Sequence, residues 1–168
     1  NKAAASHEFT ASAALASTVG MIAAAYTRDS GLAGLSTGFA QLDKDLGGLA
    51  PSDLIIVAGR PSMGKSAFAA NIAFNVAKAQ VKEFESGDGD PGEVSFYSLE
   101  MSAEQLMQRL LAAETQISAI RMREGRISEA EFTKIAQRAK ELDRLPVYID
   151  ATGALSIGQM AARARRRK

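Results

Sequence analysis

One eight-residue segment carries the chemistry that can be predicted most directly from this chain. Residues 59–66 read Gly-Arg-Pro-Ser-Met-Gly-Lys-Ser and match the pattern G-x-x-x-x-G-K-S/T at every fixed position. Backbone N–H groups of such a loop can surround an anion, and the positive end of the following helix dipole adds to the attraction. This pattern predicts that the phosphates of a nucleoside triphosphate bind to Gly59, Arg60, Pro61, Ser62, Met63, Gly64, Lys65 and Ser66.

Two side chains of this loop have separate expected roles. Lys65 would reach the β- and γ-phosphates, which makes it a candidate catalytic residue as well as a binding residue. The hydroxyl of Ser66 would take one coordination position on Mg²⁺. The expected ligands are therefore a nucleoside triphosphate and Mg²⁺.

A second candidate catalytic group follows a predicted strand. Glu100 comes directly after the apolar and aromatic residues 96–99. Groups at the carboxyl ends of parallel strands face the ligand crevice. If this strand neighbours the one before the phosphate loop, Glu100 lies beside the γ-phosphate and can deprotonate an attacking water. The alternative is a surface glutamate near a helix start, where negative charge is mildly favoured.

The elements that must position these groups alternate between strands and helices. Residues 54–58 form a short apolar run bounded by turn residues, which is typical of a strand buried on both faces. Further strands are predicted at 94–99 and 147–150, and helices at 11–26, at 65–82 and after Ser102, Ser128 and Ser156. Strands separated by helices of this length predict an α/β fold with a parallel sheet and flanking helices.

Composition excludes several classes of protein. The chain has 168 residues, of which 46% are hydrophobic and 23% charged, as in one globular domain. It has no cysteine, so a disulfide scaffold, a cysteine zinc site and thiol catalysis are excluded. The uncharged segment 9–27 is rich in Ala, Ser and Thr, and we expect neither a membrane span nor a secretory signal there. We assign no role to His7, the single histidine.

Positive charge is concentrated at one end of the chain. Five of the 20 basic residues lie within 163–168, while the formal net charge of the whole chain is only +1. This is not the broad basic surface expected of a domain that binds nucleic acid over its whole face. We interpret the segment as a solvated helix terminus, where positive charge is favourable, rather than as a binding site for nucleic-acid phosphates.

Several motifs occur together in a specific order. They are Ser36-Thr37-Gly38-Phe39, Leu42-Asp43, Gly47-Gly48-Leu49, the phosphate loop 59–66, Ser98-Leu99-Glu100-Met101, 121–125 and Tyr148-Ile149-Asp150. With these motifs, residues 12–168 closely resemble the ATPase domain of bacterial replicative DNA helicases of the DnaB type, which is a RecA-like motor.

The resemblance implies a fold, a reaction and a set of partners. It implies a RecA-like P-loop NTPase fold, with an arm and linker helix over 1–30 and an ATPase domain over 31–168 that is incomplete at its C-terminus. Lys65 and Ser66 would bind phosphate and Mg²⁺, and Glu100 would activate water for ATP hydrolysis. The full cytoplasmic enzyme would form a homo-hexamer through the linker helix 12–26. It would act on single-stranded DNA and contact primase and a helicase loader.

Departures from the family pattern limit these implications. The acidic stretch 83–93 is interpreted as a surface insertion that does not touch the site. In the family, the Mg²⁺ aspartate and the arginine finger follow the position of Lys168, and Asp150 is not expected to replace that aspartate. We therefore expect this chain alone to bind Mg·ATP weakly and to hydrolyse little of it.

Three other readings remain open. One is another RecA-like ring ATPase, either recombinase-like or clock-protein-like. The second is an assembly or interaction module that keeps the linker helix and binds nucleotide without hydrolysing it. Separately, helix 12–26 could be an intramolecular core helix instead of a helix that packs on a neighbouring subunit. A small-molecule P-loop kinase is the weakest, because only the stretch 83–93 is available as a substrate-binding insertion.

Overall fold

The computed structural model of the chain describes residues 10–26, 32–87 and 92–167. The chain divides into two compact units, one ending at Asp53 and one beginning at Leu54. The first unit contains helices α1 (Ala11–Tyr26) and α2 (Ala40–Leu46). The division predicted at residues 30 and 31 stays a prediction.

Helix α1 covers the predicted range and exposes its apolar stripe. The exposed large side chains on this helix are Leu15, Val19, Met21, Ile22 and Tyr26. An intramolecular core helix would bury these residues, so that alternative is wrong for the part of the chain that the structure describes. None of the described helices is both long enough and apolar enough to cross a membrane.

Asp43 organises the rest of the first unit. Its carboxylate accepts hydrogen bonds from the Ser36 hydroxyl (2.6 Å), the Thr37 amide (2.7 Å) and the Thr37 hydroxyl (2.6 Å). Burial alone would raise the pKa of Asp43, but these hydrogen bonds outweigh it and lower the pKa. The residues from Ser36 to Asp43 are therefore held together by one buried, ionised side chain.

The described residues of the second unit form five helices and two strands. In chain order they are α3 (Lys65–Glu85), β1 (Val94–Tyr97), α4 (Ala103–Thr115), α5 (Ala119–Arg123), α6 (Glu129–Asp143), β2 (Val147–Asp150) and α7 (Ile157–Arg165). The strands pair in parallel, with Val94 opposite Val147 and Tyr97 opposite Asp150. This confirms the predicted α/β class with a parallel sheet.

Local sequence signals explain where three of these helices begin. The side chains of Ser102, Ser128 and Ser156 each accept a hydrogen bond from the backbone N–H three residues later. The side chain of that later residue accepts a hydrogen bond from the backbone N–H of the serine. Each pair is a capping box, which satisfies two backbone donors that the helix start leaves free. The core then forms where Phe74 of α3, Leu110 of α4 and Leu142 of α6 meet.

Two expectations about element limits are wrong. Helix α3 continues to Glu85, so the acidic stretch predicted as a loop from residue 83 begins as helix, and 88–91 lie outside the described residues. The predicted strand at 54–58 is not formed. Among the described residues β1 pairs with β2, and 54–58 pair with neither strand.

The run 54–58 is also exposed rather than buried. Leu54 and Ile56 are 86% and 80% exposed, and Ile55 and Val57 are about half exposed. An apolar strand is buried only when neighbouring strands and helices cover it. No described strand pairs with this run, so its composition alone does not bury it.

Candidate phosphate site and its surroundings

The phosphate loop lies where the exposed run 54–58 meets the start of α3. Gly64 is the residue before α3, with φ +84°, and Ser62 also has a positive φ of +65°. Residues that carry a side chain rarely adopt this left-handed backbone conformation, whereas glycine adopts it freely. Glycine at position 64 therefore lets the loop turn directly into the first turn of α3.

Lys65 folds back over the loop that precedes it. Its Nζ donates hydrogen bonds to the carbonyl oxygens of Gly59 at 3.1 Å and Arg60 at 3.2 Å. The side chain remains exposed, so its ammonium group can exchange these carbonyl partners for an anion. The lysine is thus held at the mouth of the loop.

Glu100 is presented by a tight turn at the carboxyl end of β1. The Ser98 hydroxyl donates to the Met101 carbonyl at 2.7 Å and accepts from the Met101 amide at 3.2 Å. The Ser98 amide also donates to the Asp150 carbonyl at 2.9 Å, which continues the β1–β2 ladder. The capped start of α4 follows at once, so the backbone around Glu100 is fixed on both sides.

Glu100 and the loop line one cavity of about 590 Å³. Lys65, Ser66 and Glu100 also line an adjoining cavity of about 340 Å³, which extends to Val57 and Phe96. Sequence reasoning placed Glu100 here by assuming that β1 neighbours residues 54–58. The structure shows no such pairing, yet the turn after β1 still brings Glu100 to the loop.

The loop has the features of a site for a chain of phosphates. A lysine, a glycine-containing turn and the start of a 21-residue helix converge on one cavity. The described residues contain no group of three or more His, Asp or Glu side chains able to hold a metal. Ser66, at the start of α3, lines the cavity and would supply one oxygen to Mg²⁺.

The Asp150 carboxylate, at the end of β2, is bound by Thr152 and Arg163. Its carboxylate accepts from the Thr152 amide at 3.1 Å and the Thr152 hydroxyl at 2.6 Å, and it pairs with Arg163. The hydrogen bonds from Thr152, followed by the one from Arg163, lower the pKa of Asp150 from 3.8 to about 2. That Asp150 is not the Mg²⁺ aspartate stays a prediction.

Part of the basic end has a structural role. Arg163 pairs with Asp150 at the end of β2, and the guanidinium of Arg167 lies 3.9 Å from the ring centroid of Tyr148. The Tyr148 ring belongs to the same strand, and a cation–π contact of this kind contributes about 0.5–1 kcal/mol at an exposed site. These two arginines therefore link α7 and the residues after it to the sheet.

Sequence reasoning missed one residue of the cavity. Arg109 of α4 lines it together with the loop and Glu100. The only available signal was helical spacing, since Arg109 lies seven residues beyond the Ser102 cap and three beyond Leu106. That spacing puts Arg109 near Leu106 on one side of α4, but it does not say what lies opposite.

Comparison with known proteins gives consistent matches. The family model described as DnaB-like helicase C terminal domain matches residues 34–168. A replicative DNA helicase DnaB of Rickettsia bellii is 43% identical over 135 residues, which are 80% of this chain and 27% of the relative. The corresponding protein of Synechocystis is 46% identical over 133 residues, or 79% of this chain and 14% of that protein.

Solved structures match over almost the whole chain. An ATPase domain of another protein gives a TM-score of 0.81 at 25% identity and covers 96% of this chain and 52% of its own. A structure described as a DnaB-like replicative helicase and its interactions with primase gives 0.79 at 25% identity, with coverages of 95% and 36%. The chain therefore has the fold of these ATPase domains, and it spans about a quarter of the length of the Rickettsia bellii relative.

Proposed function

The chain belongs to the DnaB-like helicase C-terminal domain family, and from this membership we propose that it is the nucleotide-binding part of an ATP-driven DNA helicase motor. One observation carries the proposal. The phosphate loop and Glu100 come from different elements and line the same cavity of about 590 Å³. A site for hydrolysis of a phosphoanhydride needs both a phosphate cradle and a base for water, and these residues have that chemistry.

Each side chain of the site has a distinct task in this proposal. The N–H groups of the loop and the ammonium of Lys65 bind the phosphates of ATP. Ser66 supplies one oxygen to Mg²⁺, which when bound neutralises charge on the β- and γ-phosphates. The Glu100 carboxylate orients a water molecule and accepts its proton as the water oxygen attacks the γ-phosphorus; the bond from this phosphorus to the β–γ bridging oxygen breaks, and ADP leaves with that oxygen.

The proposal extends to the longer protein through its relatives. Replicative helicases named DnaB match this chain, and a matching solved structure is described as interacting with primase. We propose that the whole protein forms a hexamer in the cytoplasm, moves along single-stranded DNA and contacts primase and a loader. The exposed apolar stripe of α1 supports a hexamer in which this helix packs on a neighbouring copy.

Nucleotide binding and turnover test the proposal on the chain itself. Calorimetric titration with Mg·ATP is expected to show binding that Lys65→Ala removes. ATP turnover is then measured with and without single-stranded DNA, with Lys65→Ala as the blank and Glu100→Gln as the variant lacking a base. If the unaltered chain binds neither ATP nor ADP, the proposed function is wrong.

A second candidate function is nucleotide binding without turnover by this chain. The exposed run 54–58 favours it, because no described strand pairs with the segment that leads into the loop. Binding that depends on Lys65, with turnover no higher than the blank, would select this candidate. Turnover above the blank that Glu100→Gln abolishes would exclude it.

A further inference from the structure

Met63 lies within the phosphate loop at a position that the loop pattern leaves open to any residue. Its side chain is 73% exposed. It also lines a cavity of about 510 Å³ together with Gly59, Lys65 and Phe68. Lys65 in turn borders the two cavities that contain Glu100. The thioether of Met63 is therefore open to solvent and adjoins the lysine that we assign to the phosphates.

Methionine supplies all the sulfur of this chain. The sequence contains six methionines and no cysteine, so no thiol competes for an oxidant. Met21 and Met63 are 72% and 73% exposed. The other four methionines are partly buried; they are Met101, Met107, Met122 and Met160. An oxidant in solution therefore meets the thioethers of Met21 and Met63 first.

Met63 and Lys65 share one backbone acceptor. The carbonyl oxygen of Arg60 accepts hydrogen bonds from the Met63 amide at 3.3 Å and from the Lys65 Nζ at 3.2 Å. The residues on either side of Met63 are Ser62 and Gly64, with positive φ values of +65° and +84°. Met63 thus belongs to the tightly turned backbone that also holds the ammonium group of Lys65.

We propose that Met63 is a site of oxidation by peroxides and that its sulfoxide weakens nucleotide binding. This inference rests on the proposed function, because it needs the loop to hold phosphates. The sulfoxide oxygen is polar and accepts hydrogen bonds, unlike the apolar thioether. In the cavity that Met63 shares with Lys65, this oxygen competes with a phosphate for the ammonium group. Its partial negative charge also repels the phosphates.

The reaction transfers one oxygen atom from hydrogen peroxide to the sulfur of Met63. A lone pair of the sulfur attacks one peroxide oxygen, the S–O bond forms and the O–O bond breaks. The displaced hydroxide takes the proton from the transferred oxygen and leaves as water. Sulfur is thereby oxidised by two electrons, and the peroxide is reduced by two. Methionine sulfoxide reductases, one class for each sulfoxide epimer, reverse the modification.

Mild treatment with hydrogen peroxide, followed by calorimetric titration with Mg·ATP, tests the assignment. Peptide mass spectrometry locates each added oxygen atom. The Met21→Leu chain keeps Met63 as its one highly exposed methionine. On oxidation it should lose ATP affinity roughly two- to tenfold, the range for one competing hydrogen bond. Met63→Leu is the matched control, and the same treatment should leave its affinity at the value of its own untreated form.

A second comparison needs no oxidant. Met63→Gln places an amide oxygen at about the position of the sulfoxide oxygen. This variant should bind Mg·ATP roughly two- to tenfold more weakly than Met63→Leu. Treating the oxidised Met21→Leu chain with both classes of methionine sulfoxide reductase should restore its affinity, because the thioether is regenerated.

Two results would overturn the assignment and leave the proposed function standing. One is an unchanged ATP affinity in a Met21→Leu chain whose Met63 is fully oxidised. The other is an equal loss of affinity in oxidised Met63→Leu, which would place the effect at another residue. Far-ultraviolet circular dichroism checks that the oxidised chains stay folded, and Met63→Gln against Met63→Leu gives the same comparison if they do not. Failure of the untreated chain to bind any nucleotide would refute the proposed function and this inference together.

Discussion

The Nζ of Lys65 lies 3.1 Å from the carbonyl oxygen of Gly59, at the opposite end of the same loop. The lysine therefore closes the loop on itself through backbone acceptors, without a carboxylate partner in the described residues. Its side chain is exposed, so these hydrogen bonds add little to the stability of the fold. They keep the cation next to the cavity that we assign to the phosphates.

Lys65→Ala is accordingly expected to weaken nucleotide binding and to leave the stability of the fold nearly unchanged. Loss of a charged hydrogen bond to phosphate should weaken Mg·ATP binding at least about tenfold. The free energy of unfolding should change by less than about 1 kcal/mol, because the lost contacts are exposed. Titration calorimetry and urea unfolding measure the two effects, and a large loss of stability would show that Lys65 is a structural residue.

The two glycines of the loop should respond differently to alanine. Gly64 has φ +84°, so Gly64→Ala should cost about 1–2 kcal/mol of stability through backbone strain alone. A methyl group at Gly59 would meet its nearest atom, the Cγ of Lys65, at an ordinary distance of 3.7 Å. Urea unfolding of Gly59→Ala, the matched control, should therefore be close to that of the unaltered chain; equal losses would contradict this account of the loop.

Acid should weaken the attachment of α7 through Asp150. The pKa of this residue is lowered to about 2, so its stabilising contribution is complete above 3.8 and is lost as the pH falls through about 2. Asp150→Asn should have a lower thermal midpoint near neutral pH, and its difference from the unaltered chain should shrink across that acid window. Melting curves from pH 5 to pH 2 measure this.

The control for this experiment is Asp143→Asn. Asp143 is exposed at the end of α6 and forms no ion pair with the residues that the structure describes. The Asp143→Asn substitution removes a carboxylate but keeps the contacts of Asp150 with Thr152 and Arg163. A difference for Asp150→Asn that is constant between pH 5 and pH 2 would show that the Asp150–Arg163 pair does not stabilise the fold.

The exposed apolar run 54–58 should promote self-association. Extended apolar segments without a paired neighbour are templates for edge-to-edge contact between chains. Replacing both Leu54 and Ile56 by lysine should lower concentration-dependent light scattering and leave the thermal midpoint nearly unchanged. Ile157→Lys is the control, because Ile157 is 85% exposed on a helix and leaves the run intact. Unchanged scattering in the double variant would contradict the prediction.

Features that depend on neighbours along the chain could be predicted before the structure was known. The loop 59–66 follows from spacing, and the helix starts at Ser102, Ser128 and Ser156 follow from pairs of residues three apart. The first and last residues of α1 and β2 agree with the prediction. The spacing of apolar residues and the turn residues at the ends of these segments indicate where each element begins and ends.

Which residues meet and which are buried depends on how the helices and strands pack together. The run 54–58 has the composition of a buried strand, but burial depends on partners supplied by other parts of a fold, and in the described residues it stays exposed. Arg109 reaches the phosphate cavity because α4 packs on α3 behind Leu106 and Leu110. Spacing along one helix cannot reveal such a contact, since it depends on where a second helix lies.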